Sequence, residues 1–192
     1  MNAMLRNSYP ALLLAAGLSL ATPHVSALTV YSGSATIPGT WLIDFETGAI
    51  VAVDPAADVW WSQISMVTRA LTPASAVVTG STSRLTGLGM VDYSALGVSH
   101  LQALTYDNAP IDGSDDSNLL VPGYVFAVHT TAGNYVKAVV TGPFDPMQNN
   151  GLPIRWETLS PVPEPGTWAL GLAGLLAVAG RVRRVRHVRH AA

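Results

Sequence analysis

The stretch YVFAVHTTAGNYVKAVVT, residues 124–141, decides the fold. Residues 124–130 and 134–141 are rich in Val, Tyr, Phe and Thr, the composition of paired strands. Between them lie Thr131, Ala132 and Gly133, a short link in which glycine can supply a positive φ. The stretch therefore predicts a β-hairpin, and the surrounding chain repeats the pattern. Residues 41–45 (WLIDF) and 49–53 (AIVAV) flank Glu46-Thr47-Gly48 as a second hairpin. Residues 58–63 (DVWWSQ), 66–71, 76–79 and 154–159 (IRWETL) read as further strands. Only residues 94–104 offer helical material, enough for one or two short turns. No repeat of fixed period is present. The expected fold is mainly β: a compact single-domain antiparallel sandwich or barrel-like core with one short helix.

Of the 192 residues 49% are hydrophobic and 11% charged, which fits one domain plus apolar segments that inflate the average. The first such segment is N-terminal. Arg6 precedes the run ALLLAAGLSLA (residues 11–21), then come Pro23 and Val25-Ser26-Ala27. This is the layout of a signal peptide over residues 1–27, with signal peptidase cutting before Leu28. Its 11 apolar residues fall short of the roughly 20 that a membrane span needs. Cysteine is absent, so no disulfide staples the chain and no thiolate serves as nucleophile or metal ligand. Residues 28–160, 133 in number, must hold together by their core alone.

The second apolar segment belongs to a tail over residues 161–192. Pro163-Glu164-Pro165 forbids helix and favours an extended, solvated backbone, the shape a protease cleft takes. Residues 167–180 (TWALGLAGLLAVAG) form a 14-residue apolar helix candidate, with Trp168 placed to sit at a membrane interface. Arg181, Arg183, Arg184, Arg186 and Arg189 follow, and their stems can snorkel to headgroups so that a short helix still crosses. Arginine on that flank keeps the C-terminus cytoplasmic while the signal peptide sends the core outward.

Pro163-Glu164-Pro165, the apolar run from Trp168 and the arginine cluster together resemble the PEP-CTERM sorting signal of Gram-negative envelopes. The resemblance implies recognition by exosortase, a membrane protease, and sorting to the cell envelope, outer surface or extracellular matrix. It also implies an association with exopolysaccharide and biofilm production. It covers only about the last 30 residues, so it speaks to sorting and not to the activity of the core. Within the core, Asp44-Phe45-Glu46-Thr47-Gly48, Ala57-Asp58-Val59-Trp60-Trp61, residues 125–130 with 133–137, and Ile154-Arg155-Trp156 are similar to an uncharacterised secreted bacterial β-rich domain. That similarity supports one domain and implies no activity.

Removing both ends changes the charge balance. Residues 28–160 hold Arg69, Arg84, Lys137 and Arg155 against eleven acids, a formal charge of −7 that the whole-chain value of −2 hides. Such a core should repel nucleic acid and anionic polysaccharide.

The densest set of oxygen ligands is residues 112–118 (DGSDDSN), which makes Asp112, Asp115 and Asp116 calcium candidates alongside the reading of a solvated turn. The twelfth position from Asp112 is Gly123, where an EF-hand requires Glu, and the central glycine is missing. Trp60 and Trp61 are adjacent, so in a strand one ring faces inward and the other outward. An exposed indole could stack on a sugar with Asp58 accepting its hydroxyls, or simply pack under a loop. His100 and His129 lie in no nucleophile or metal signature. Lys137 suits an ion pair or a sheet edge better than catalysis. The expectation is a non-catalytic structural or ligand-binding core without metal or cofactor, with extracellular polysaccharide as a candidate partner. The alternative is a secreted hydrolase acting on an extracellular polymer, with Asp58, Asp92, His100 and His129 as its first suspects.

Overall fold

The computed structural model describes residues 26–162 apart from Asn118. Most of the expected signal peptide, the motif Pro163-Glu164-Pro165, the apolar run with Trp168 and the arginine cluster lie outside the described residues. No helix among the described residues is long and apolar enough to cross a membrane.

Two antiparallel five-stranded sheets form. The first runs in the order β1 (Ser26–Ile37), β10 (Leu152–Val162), β9 (Tyr135–Val140), β8 (Val125–His129), β6 (Arg84–Gly89). The second runs β3 (Ile50–Val51), β2 (Leu42–Ile43), β4 (Val59–Gln63), β5 (Arg69–Pro73), β7 (Ile111–Asp112). The predicted hairpin is β8–β9, inside the first sheet, and Gly133 turns it with φ +85°. Residues 41–53 form the β2–β3 hairpin, with Gly48 at φ +72° in its turn.

Side-chain alternation directs Leu85, Phe126, Val128, Val136, Ala138, Ile154 and Trp156 from one sheet against Ile43, Val59, Trp61, Leu71 and Ile111 from the other, in one buried cluster. The sheets face each other but do not close, so the barrel-like alternative does not form. β1 and β6 remain edges of the first sheet, and β3 and β7 of the second. On the outer face of the first sheet lies α1 (Val98–Gln102), the one α-helix among the described residues, whose Val98 and Leu101 pack on Ala127 and Leu159.

Two strand expectations are corrected. Residues 76–79 are not a strand: β5 ends at Pro73 and the chain winds into a 3-10 turn over Ala74–Ala76, closed by Val78 N donating to Ala74 O at 2.7 Å. Met66 and Val67 belong to the β4–β5 turn instead of β5, because the Ser65 hydroxyl accepts from Val67 N and Thr68 N. Of the two roles expected for Lys137, the ion pair forms, with Glu157 at 3.1 Å, and the edge role does not apply because β9 is an interior strand.

β1 was not legible as a strand, yet it pairs with β10 along its length, from Ser26↔Val162 to Ile37↔Leu152 with one bulge between Thr29 and Tyr31. The described chain therefore enters and leaves the domain side by side. Cleavage before Leu28 would remove Ser26 and Ala27, the partners of Val162 and Pro161.

Candidate functional site

The two adjacent tryptophans divide as a strand requires. Trp61 points inward and is fully buried, its Nε1 donating to Asn150 O at 2.8 Å and its ring 5.3 Å from that of Phe144. It offers no face to a ligand, so its proposed ligand contact is corrected to a core role. Gly113 is the reason it fits, since a Cβ there would come within 2.6 Å of the ring. Trp60 lies on the outer face, half-buried against a small cluster of Leu42, Ala57 and Ala74 with Val51 and Val78. Asp58 is no sugar acceptor either, being fully buried.

The acidic loop is arranged by its own backbone. Asp112 accepts from Ser114 N at 2.9 Å, and Ser117 Oγ donates to Asp112 O and Ser114 O. Asp115 is ion-paired with Arg69, whose guanidinium stands 4.5 Å over the Phe144 ring. Of the three calcium candidates, Asp115 is thus committed to a cation the protein supplies. Asp112 and Asp116 line an open groove with Val67 and Thr68.

Three carboxylates that sequence reading had not grouped converge elsewhere. Asp44, Glu46 and Asp58 bring oxygens within 4.8 Å of one another, the one such acidic trio among the described residues. The β2–β3 turn delivers Asp44 and Glu46, and Asp58 precedes β4. Asp58 accepts from Phe45 N at 3.0 Å and from Thr131 N at 2.9 Å, tying this hairpin to the β8–β9 turn. Glu46 accepts from Thr130 Oγ1 and from Asn134 Nδ2 at 3.2 Å, and Asp44 from Glu46 N and Thr47 Oγ1. The oxygen set could hold a hard divalent cation. As built from protein alone it is a latch between two hairpins.

Burial first, and the Glu46 charge second, push the Asp58 carboxyl up to about 8, against the pull of the Phe45 and Thr131 N–H donors. The native state thus keeps a proton that the unfolded chain releases near pH 4. Stability from this group is complete below that pH and is lost as pH rises toward 8, by about 1.4 kcal/mol per pH unit at the steepest. Glu46→Gln keeps an acceptor for Thr130 and removes the charge. Thermal unfolding with a chelator present should show Tm falling from pH 5 to 8 in the parent. The variant should flatten that fall and gain about 1–2 kcal/mol at pH 8. Identical pH profiles would contradict the latch, and a calcium-dependent rise in Tm that the variant loses would assign the trio to a cation.

Each hydrolase suspect is engaged by other partners. Asp92 accepts from Ser94 N and Oγ, His100 Nδ1 accepts from Gly97 N at 3.3 Å, and the His129 ring packs 4.9 Å from Tyr135 and 6.0 Å from Tyr106. Asp58 has no histidine among its hydrogen-bond partners.

β10 runs to Val162, so Pro163 is the next residue after the sheet. Residues 161–184 match the PEP-CTERM protein-sorting motif, and its first two residues are the last two of β10. A motif of this kind implies an exported protein, associated with the cell envelope and processed by exosortase. No curated protein and no solved structure matches the chain.

Proposed function

We propose that this is an exported envelope protein of a Gram-negative bacterium whose β-sandwich core is non-catalytic and serves, as a structural or ligand-binding module, at the outer surface or in the extracellular matrix. Its setting is exopolysaccharide or biofilm, and carbohydrate is the ligand class. The observation that carries the reading is the sorting motif at residues 161–184, contiguous with the final strand. The pairing of β1 with β10 from Leu28↔Ser160 onward supports it, because after cleavage before Leu28 that sheet edge survives and the domain is tethered through β10 alone. The separate hydrogen-bonding and packing partners of Asp58, Asp92, His100 and His129 support a non-catalytic core over a hydrolase.

The test is to incubate the surface-released protein with extracellular polysaccharide and with an array of defined glycans. Saccharide retention without release of reducing ends is the expected result. Release of reducing ends would favour the hydrolase. Failure to retain any glycan would remove the carbohydrate ligand and leave the structural role.

A further inference from the structure

Side-chain alternation places Ser32 and Ser34 of β1, Arg155 and Glu157 of β10, and Lys137 of β9 on the outer face of the first sheet, in the registers Ser34↔Arg155, Ser32↔Glu157 and Glu157↔Lys137. The 3-10 turn Tyr93–Ala95 lies beside this row, and together they enclose a cleft of about 640 Å³. That volume is in the range of small-molecule sites, roughly 300–1,000 Å³.

The charges in the cleft are unequal. Lys137, only 6% exposed, is paired with Glu157 at 3.1 Å and donates to Tyr93 O at 3.3 Å. Arg155 is exposed, with its Cζ 4.9 Å from the Tyr93 ring centroid, and no carboxylate among the described residues lies within 4.0 Å of it. Lys137 is offset by Glu157 and also feels the Asp92 carboxylate, so Arg155 is the cleft cation left without a carboxylate partner. Two of the core's four basic side chains meet here, in a domain of formal charge −7. The Tyr93 hydroxyl is buried beside the Glu157 and Arg155 side chains, which fixes the turn against the charged row. Burial and the Glu157 charge hold its phenol above the ordinary value, so it remains a donor at neutral pH.

A guanidinium fork suits a planar carboxylate, which it can bind through two parallel N–H donors. The serine hydroxyls and the half-exposed Glu157 suit hydroxyl groups beside it. The surrounding negative field disfavours densely charged polyanions and favours a single charge on a neutral, polar body. Resting on the carbohydrate reading above, we propose that this cleft binds a carboxylate-bearing sugar residue, a uronate, with Arg155 on its carboxylate and Ser32, Ser34 and Glu157 on its hydroxyls.

The experiment is calorimetric titration of the surface-released protein with a trisaccharide carrying a single uronate residue, the matching neutral trisaccharide and inorganic phosphate. The uronate should bind more tightly than the other two. Arg155→Gln should weaken it about tenfold or more, and Arg155→Lys should recover part of the loss. Because Arg155 is exposed, both variants should keep the parent Tm. Equal binding of neutral and acidic sugars, or uronate binding indifferent to Arg155→Gln, would overturn the cleft assignment and leave the carbohydrate reading standing. Phosphate binding as tight as the uronate would also overturn it. Failure of every saccharide would overturn both.

Discussion

Replacing Pro163, Glu164 and Pro165 with three alanines should leave the protein in the envelope with its whole tail attached. Each proline fixes φ near −65° and lacks an N–H, so the native tripeptide can neither extend an apolar helix backward nor add rungs to β10. The sequence therefore favours an extended segment, the form in which peptides occupy recognition clefts. Alanines remove that constraint and allow the helical tendency of residues 167–180 to spread toward the sheet. The apolar run and the arginines are untouched, so insertion persists while recognition fails. Intact mass of the surface-released protein is the readout. The parent should be shorter than its encoded C-terminus, and the variant should yield essentially no shortened form. A tail intact on parent material, or removed equally well from the variant, would reduce the motif to a passive linker.

The second large effect separates neighbours. Trp61→Ala should cost about 3–5 kcal/mol, because it leaves a cavity in the shared core and an unpartnered Asn150 carbonyl. That is a large share of the roughly 5–15 kcal/mol that holds a domain together. Trp60→Ala should cost about 1–2 kcal/mol, since the ring is half-buried against a smaller cluster. Chemical denaturation of the two variants checks this. Equal losses, or a larger loss at Trp60, would contradict the assignment of Trp61 to the core.

These two residues also show what the sequence could convey. Strand alternation predicted that one indole faces in and the other out, but which one does so depends on register against β2 and β5, which no local pattern specifies. The β8–β9 hairpin was legible because β-branched and aromatic runs, a short link and a glycine agree. β1 and β6 were missed for a physical reason. Their sequences, SALTVYSGSATI and RLTGLG, carry glycines that normally signal turns. Here Gly33 and Gly87 make room for aromatic groups: a Cβ at Gly33 would lie 2.9 Å from the Trp156 ring, and one at Gly87 would lie 2.4 Å from the Tyr124 hydroxyl, while Gly89 takes φ +75° at a register shift.

The candidate sites were legible to different degrees. The sorting motif is contiguous in sequence, so its residues could be read directly. Asp44, Glu46 and Asp58 stood in phrases already singled out, yet their meeting with Thr130, Thr131 and Asn134 joins positions more than 70 residues apart. The cleft under Tyr93 likewise draws on β1, β9, β10 and a loop, and it gathers charges that composition could only count.

The most direct test is fractionation of cells that express the intact chain or a version ending at Ser160. The shorter chain loses Pro161 and Val162 but keeps β10 paired with β1 from Leu28↔Ser160 to Leu152↔Ile37, so the core should fold in both. The intact chain should be found with the membrane or the cell surface, and the shortened one soluble outside the cytoplasm. Both proteins soluble in the cytoplasm in equal measure would contradict the reading of both ends.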